Sequence, residues 1–301
     1  MFYYNAHGLN ICSELYFPEL IEEDPGNKFD VSIKFGFDYF PNQNINKLNF
    51  NNFIEVSLNS NRITLFWKEE CACTIINGKK ILINPTHNIG EDLIRLIILG
   101  HVLAIILHLK GRLILHANAV NINNGAVIFL GSSGKGKSTT SLALHKKGYN
   151  LLSDDILSIK IDKDNQPIVF PSFPRIKLWP EVIENLNENP YSMPKLHLDT
   201  EKRSYFIEDN FLDIPIPLKS IYLIKDSNKV GINQIKSQKA LMEIVKSSYC
   251  YPIFDNDKVS ENLNQCAKIL KKVPVKVLKI KKSFANIPKI VEIVEKDINI
   301  N

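Results

Sequence analysis

The octapeptide Gly131-Ser-Ser-Gly-Lys-Gly-Lys-Ser138 constrains this chain more than any other stretch. It matches G-x-x-x-x-G-K-[ST] and has the flanks that pattern requires. The apolar run Ala126-Val-Ile-Phe-Leu130 reads as a strand before it, and a helical run from Lys137 to about Lys147 follows, closed by Gly148. Glycines let the backbone turn so that successive N–H groups point inward at a polyphosphate. The loop ends at a helix N-terminus, which favours anionic oxygens. Gly131, Ser132, Ser133, Gly134, Lys135 and Gly136 would form the cradle, with Thr139 in the first helical turn. Lys137 would reach the β and γ phosphates and Ser138 would ligate Mg²⁺. The motif implies nucleotide binding without choosing between GTPase, ATPase and kinase.

Asp154-Asp155 narrows the choice. The pair follows the short strand Asn150-Leu-Leu-Ser153, where a parallel neighbour strand would deliver carboxylates beside the phosphates. One carboxylate can hold Mg²⁺ and the other can accept the proton of an attacking hydroxyl. An exposed turn carrying two acids is the equal alternative. His116 lies mid-strand, where a lone histidine is usually a hydrogen-bonded core residue. His7, His87, His101, His108 and His197 show no partner pattern, and His145 with Lys146-Lys147 reads as a solvated helix face.

With 301 residues the chain has room for one large domain or two small ones. Its 45% hydrophobic and 23% charged residues support a real core and exclude wholesale disorder. Up to about residue 90 it reads as strands: 31–35, 53–57, 62–67 and 80–84, with a turn at Asn77-Gly78. A buried helix is expected around 92–110, ending at Gly111; Arg95, His101 and His108 interrupt its apolar run, and no membrane span is expected. Strands follow at 113–120, 126–130, 150–153, 156–161 and 167–170, partly joined by hairpins, which predicts a mixed sheet. Residues 171–218 read as loops with short helices, 221–224 as a strand, 238–249 and 260–272 as helices, 275–280 as a half-exposed strand and 287–296 as a closing helix. The five cysteines, among them Cys71-x-Cys73 with both side chains on one strand face, read as free thiols of a reducing cytoplasm. A net charge of +5 is thinly spread, and the lysines of 268–282 alternate with apolar residues as a solvated face would, so no nucleic acid is expected.

His116-Ala-Asn-Ala-Val120, the loop 131–138 and Gly148-Tyr-Asn-Leu-Leu-Ser-Asp-Asp155 together resemble the catalytic domain of the HPr kinase/phosphorylase family. The chain is most similar to the HPr-kinase-like precursor-peptide serine kinases, including lasso-peptide kinases. That likeness adds Tyr3-Tyr4, Gly8-Leu9, Ser13-Glu14 through Pro18-Glu19-Leu20, Phe173-Pro-Arg-Ile-Lys-Leu-Trp-Pro180 and Val273-Pro-Val-Lys-Val-Leu278. The resemblance implies an α/β P-loop kinase core with a mixed sheet, of the HPr kinase/PEP carboxykinase type, over 111–301. A smaller β-rich domain over 1–110 would precede it. It implies ATP and Mg²⁺ as cofactors, Lys137 on the phosphates, Ser138 and Asp155 at the metal, Asp154 as general base and His116 near the acceptor phosphoryl group. The Glu-Ile-Arg-Gly-type signature of the bifunctional enzymes is missing, so neither reverse phosphorolysis nor HPr as substrate is implied.

The function expected is therefore transfer of the γ-phosphoryl group to a serine of a peptide or small protein, a precursor peptide of natural-product biosynthesis above all. A small-molecule kinase, of free serine for example, and a nucleotide-binding regulator without transfer are the alternatives. The family implies a possible homo-oligomer. Arg175, Lys177, Lys202 and Arg203 are the cations that either stabilise charge at the site or serve as surface charge.

Overall fold

The computed structural model describes residues 1–26, 28–36, 47–51, 54–59, 61–67, 71–85, 89–197, 200–249 and 254–300. Phe53, His87 and Cys250 fall outside the described residues. The chain divides into two compact units, Met1–Arg112 with Cys250–Val259, and Leu113–Tyr249 with Ser260–Asn301.

The first unit is built on a nine-stranded sheet: β1 (Phe2–Ala6), β2 (Leu9–Ser13), β3 (Ile21–Glu22), β4 (Val31–Phe35), β5 (Lys47–Asn51), β6 (Ile54–Asn59), β7 (Arg62–Trp67), β8 (Cys71–Ile76) and β9 (Lys80–Pro85), in the order β3-β1-β2-β4-β9-β8-β7-β6-β5. Alternating apolar side chains such as Val31 and Ile33 face the core, as half-buried strands require. Asn77 and Gly78 both take positive φ (52° and 62°) in the turn joining β8 to β9. Cys71 and Cys73 do share a face, with their sulfurs 3.9 Å apart, and Cys12, Cys71, Cys73 and Cys266 are buried. Next come α1 (Glu91–Ile97), a π-helical turn (Ile98–Val102) and α2 (Leu103–Leu109), followed by Gly111 at φ 75°. This 19-residue run is long and apolar enough to cross a membrane by length and composition; 67% of its most apolar window is buried inside the protein, as a core helix would be. His108 is among its buried residues and stacks on Phe254.

In the second unit the strands are β10 (Leu113–Ile122), β11 (Gly125–Leu130), β12 (Asn150–Ser153), β13 (Ile156–Ile161), β14 (Pro167–Phe170), β15 (Arg175–Leu178), β16 (Arg203–Phe206), β17 (Ile216–Asp226), β18 (Gly231–Gln234) and β19 (Val275–Ile280). The helices are α3 (Lys137–Lys146), α4 (Pro180–Glu184), α5 (Ser237–Lys246), α6 (Asn256–Lys272) and α7 (Ile287–Ile300). Eight of these strands form a mixed sheet in which β11, β10, β13, β14 and β17 close a circuit through the parallel β11–β17 pair. Every residue of β11 is buried, because the sheet is covered on both faces. Ala126, Ile128 and Leu130 enter one core, and Val127 and Phe129 the other.

Three expectations need correction. The stretch 171–218 is not only loop: Arg175↔Phe206 through Leu178↔Arg203 pair as a separate two-stranded sheet. Strand β19 is mostly buried rather than half exposed, since β17 and β18 flank it. Lys276, read as part of a solvated face, is 5% exposed and bonds both carboxylate oxygens of Asp297 at 2.9 and 2.8 Å. Tyr222 donates to the same carboxylate at 2.5 Å, so a buried polar cluster ties α7 to the sheet.

Candidate active site

The loop begins where β11 runs out. Gly131, Gly134 and Gly136 take φ of 154°, 74° and 91°, conformations a side chain would strain. Gly136 is the N-cap of α3 and supplies no side-chain cap, which leaves first-turn N–H groups for an anion. Lys137 is buried, and its ammonium donates to the Gly131 carbonyl at 2.8 Å. Burial pulls its pKa down, and the nearby Asp155 and Asp154 partly offset this.

The carboxylates arrive by a route the spacing did not reveal. Strand β12 is not the parallel neighbour of β11. Antiparallel β10 stands between them, and the parallel neighbour of β11 is β17. Strand β10 pairs with β13 through its first half (Leu113–His116) and with β12 through its second (Ala119–Asn121). Asp154 and Asp155 form the turn between those two partners, with Asp155 at φ 76°. The changeover falls at residues 116–118, so His116 and Asn118, two apart on one strand face, both meet the Asp pair.

Asp154 is buried. Its Oδ1 accepts from the Ser138 hydroxyl at 2.9 Å and from the Asn118 amide, and its Oδ2 accepts from the Lys177 N–H at 2.9 Å. The Asn118 amide also reaches Ser138 Oγ at 3.3 Å. Asp155 keeps 28% of its side-chain surface open; it meets the Lys177 ammonium at 2.6 Å and His116 Nδ1 at 2.9 Å. The Tyr249 hydroxyl is 3.1 Å from that same His116 nitrogen. These surroundings push the two carboxyls apart. Burial, with the Asp155 charge, raises the pKa of Asp154 despite the Lys177 N–H bond. Burial also works to raise that of Asp155, but Lys177 and His116 outweigh it and hold it well below the ordinary carboxylate range.

The structure thus brings Lys137, Ser138, Asp154, Asp155 and His116 to one cavity, together with Ser133, Gly134, Gly136 and Thr139. Gly131, Ser132 and Lys135 are not on its wall, and Lys135 pairs instead with Asp226. Of the four candidate cations, Lys177 and Lys202 line the cavity. Arg175 and Arg203 are buried and stack on Phe173 and Tyr191 at 5.1 and 5.4 Å. Asn118 and Tyr249 were missed; the period of two from His116 could have found Asn118, whereas nothing local marks Tyr249.

Ser138 Oγ and Asp154 Oδ1 are hard oxygen donors side by side, a set that suits Mg²⁺. Among the described residues no three His, Cys, Asp or Glu side chains converge on a metal position.

No family model matches the chain. No curated protein matches it. Among solved structures, it is similar to the HPr(Ser) kinase/phosphatase of Coxiella burnetii, at 16% identity over 61% of this chain and 89% of that one, with a TM-score of 0.34. The likeness is slight, and the chemistry of the site is read from its own residues.

Proposed function

We propose that this protein is an ATP- and Mg²⁺-dependent kinase that phosphorylates a serine hydroxyl of a peptide or small protein. The observation that carries the reading is the Asp pair lying against Ser138 and His116 at the mouth of a phosphate-binding loop. Lys137 and the loop amides would hold the phosphates, and a polyphosphate would return to Lys137 the charge stabilisation that burial withholds. Ser138 would carry Mg²⁺, which when bound neutralises charge on the transferring phosphoryl oxygens. The serine acceptor comes from the family resemblance alone.

The hydrogen bonds favour a division of labour opposite to the one the resemblance implies. Asp154 is bonded to Ser138, which supports the metal role for it. Asp155 is partly open, at 28% of its side-chain surface, beside His116, which supports acceptance of the hydroxyl proton there. In that step the new O–P bond forms, the bond to the β–γ bridging oxygen breaks, and the serine proton passes to the carboxylate. A loose transition state asks little basicity of the acceptor group. The test is transfer from labelled ATP to candidate peptides. Asp154→Asn is expected to raise the Mg²⁺ requirement, and Asp155→Asn to lower kcat with that requirement unchanged. The reverse pattern would restore Asp154 as base, and absence of transfer to any acceptor despite tight ATP binding would favour a regulator.

A further inference from the structure

Tyr249 lies just beyond the turn that ends α5, and its place beside His116 is fixed from several directions. The Ser247 N–H and hydroxyl both donate to the Glu243 carbonyl, at 3.1 and 2.9 Å, which closes the helix. The Ser248 hydroxyl donates to the Val245 carbonyl at 2.7 Å and lies 3.1 Å from the side-chain oxygen of Asn262 on α6. This turn then meets the first half of β10 in a short antiparallel bridge, Leu115 opposite Ser248. The His116 N–H donates to the Ser247 carbonyl at 2.7 Å, and the Tyr249 N–H to the Ile114 carbonyl at 2.9 Å. The His116 and Tyr249 rings end 6.1 Å apart, tilted by 59°.

One nitrogen of the imidazole therefore meets two partners. Nδ1 is 2.9 Å from Asp155 Oδ1 and 3.1 Å from the Tyr249 hydroxyl. A carboxylate oxygen offers only lone pairs, so the contact with Asp155 requires a hydrogen on Nδ1. The phenol oxygen can share that hydrogen as a second acceptor. Both contacts are lost if the ring turns over about Cβ–Cγ, because Cδ2 then takes the place of Nδ1. The hydroxyl thus adds to Asp155 in holding one ring orientation and one tautomer, and leaves Nε2 as the nitrogen available to a ligand of the cavity that His116 lines. Tyr249 itself is not on the cavity wall. We propose that Tyr249 is a positioning residue for phosphoryl transfer: its hydroxyl acts through His116, fixing the ring against Asp155 so that this carboxylate meets the acceptor hydroxyl in one arrangement. The inference rests on the reading of Asp155 as the group that accepts the serine proton.

The test uses Tyr249→Phe in the full chain, which keeps the ring and the backbone bonds and removes only the hydroxyl. The first readout is the ring ¹⁵N spectrum of the seven histidines, with His116 identified by its loss in His116→Asn. Tyr249→Phe is expected to move the His116 Nδ1 resonance and leave the other six histidines in place. The second is transfer from labelled ATP to peptide acceptors. There kcat is expected to fall roughly 5- to 10-fold, the share of one hydrogen bond, with KM for MgATP changed less than twofold. In a His116→Asn background the same change should cost less than twofold, because the hydroxyl has lost the group it acts through; if that background leaves no measurable transfer, the ring spectrum carries the test. An unmoved His116 resonance, an unchanged kcat or an equal loss in both backgrounds would overturn the inference while wild-type transfer keeps the kinase reading. Absence of transfer in wild type would overturn the kinase reading, and this inference with it.

Discussion

Replacing Lys276 by methionine is expected to destabilise the second unit by about 3 kcal/mol. The ammonium is nearly buried and bonds both oxygens of Asp297, at 2.9 and 2.8 Å. Its loss leaves a carboxylate with the Tyr222 hydroxyl, in a position where 22% of the Asp297 side chain still meets solvent. Breaking a fully buried pair costs about 3–5 kcal/mol, and the partial exposure of Asp297 sets the lower end. For a unit of roughly 180 residues that is a fall in Tm of about 6–12 °C. The assay is urea unfolding followed by tryptophan fluorescence in a Trp67→Phe background. Trp179 then reports on the second unit alone, since the chain has two tryptophans. The triple change Lys276→Met, Asp297→Leu, Tyr222→Phe removes all three polar partners and should recover most of the loss. A Lys276→Met effect under about 0.5 kcal/mol, or a triple variant no more stable than the single one, would refute the argument.

Three further outcomes are expected. His7 is buried, and burial with the Arg112 charge lowers its pKa to about 3. The unfolded chain therefore binds a proton that the folded one refuses, and stability falls as pH drops below about 6.5, by about 2 kcal/mol at pH 5 relative to pH 7.5; denaturant midpoints across that range would show it, and an equal slope in His7→Gln would exclude His7 as its source. Gly136→Ala must hold a side chain at φ 91° against Ile280, so it should cost about 1–2 kcal/mol and abolish MgATP binding; a wild-type melt with intact binding would contradict the cradle geometry. Lys137→Met should leave thermal stability unchanged or raised, because it removes a buried charge, while phosphoryl transfer falls roughly 100- to 1,000-fold; a destabilised but active variant would argue against the phosphate role.

Much of the second unit was legible in the sequence because its signals are local. The loop 131–138, the strands at 150–153, 156–161 and 167–170, and the helix from Lys137 follow from glycine placement, β-branched runs and a Gly148 stop, and the structure has them at or within a residue of those bounds. The pair β15–β16 was not legible. Its strands are four residues each and lie 25 positions apart among prolines, so neither carries a period long enough to read. Lys276 misled because interleaved lysines look solvated until a carboxylate on another element is placed against one of them. At the site, the loop and the acids were visible as residue types, but their partners were not.

By itself the sequence determined that a glycine-rich turn sits between a buried strand and a helix, since glycine φ angles and a lysine at the helix start depend only on neighbours in the chain. The tertiary structure decided which acid meets which group. Strand β10 changes partner from β13 to β12 at residues 116–118, and that changeover sets Asp154 on Ser138 and Asp155 on His116 and Lys177. Strand pairing is non-local: here it joins residues 29 (Asn121↔Asn150) to 46 (Leu113↔Ile159) positions apart through hydrogen bonds that no single segment encodes. The same holds for the cavity at the loop, whose walls include residues of α3, α4, β19 and α7 and exist only once the fold has brought those elements together.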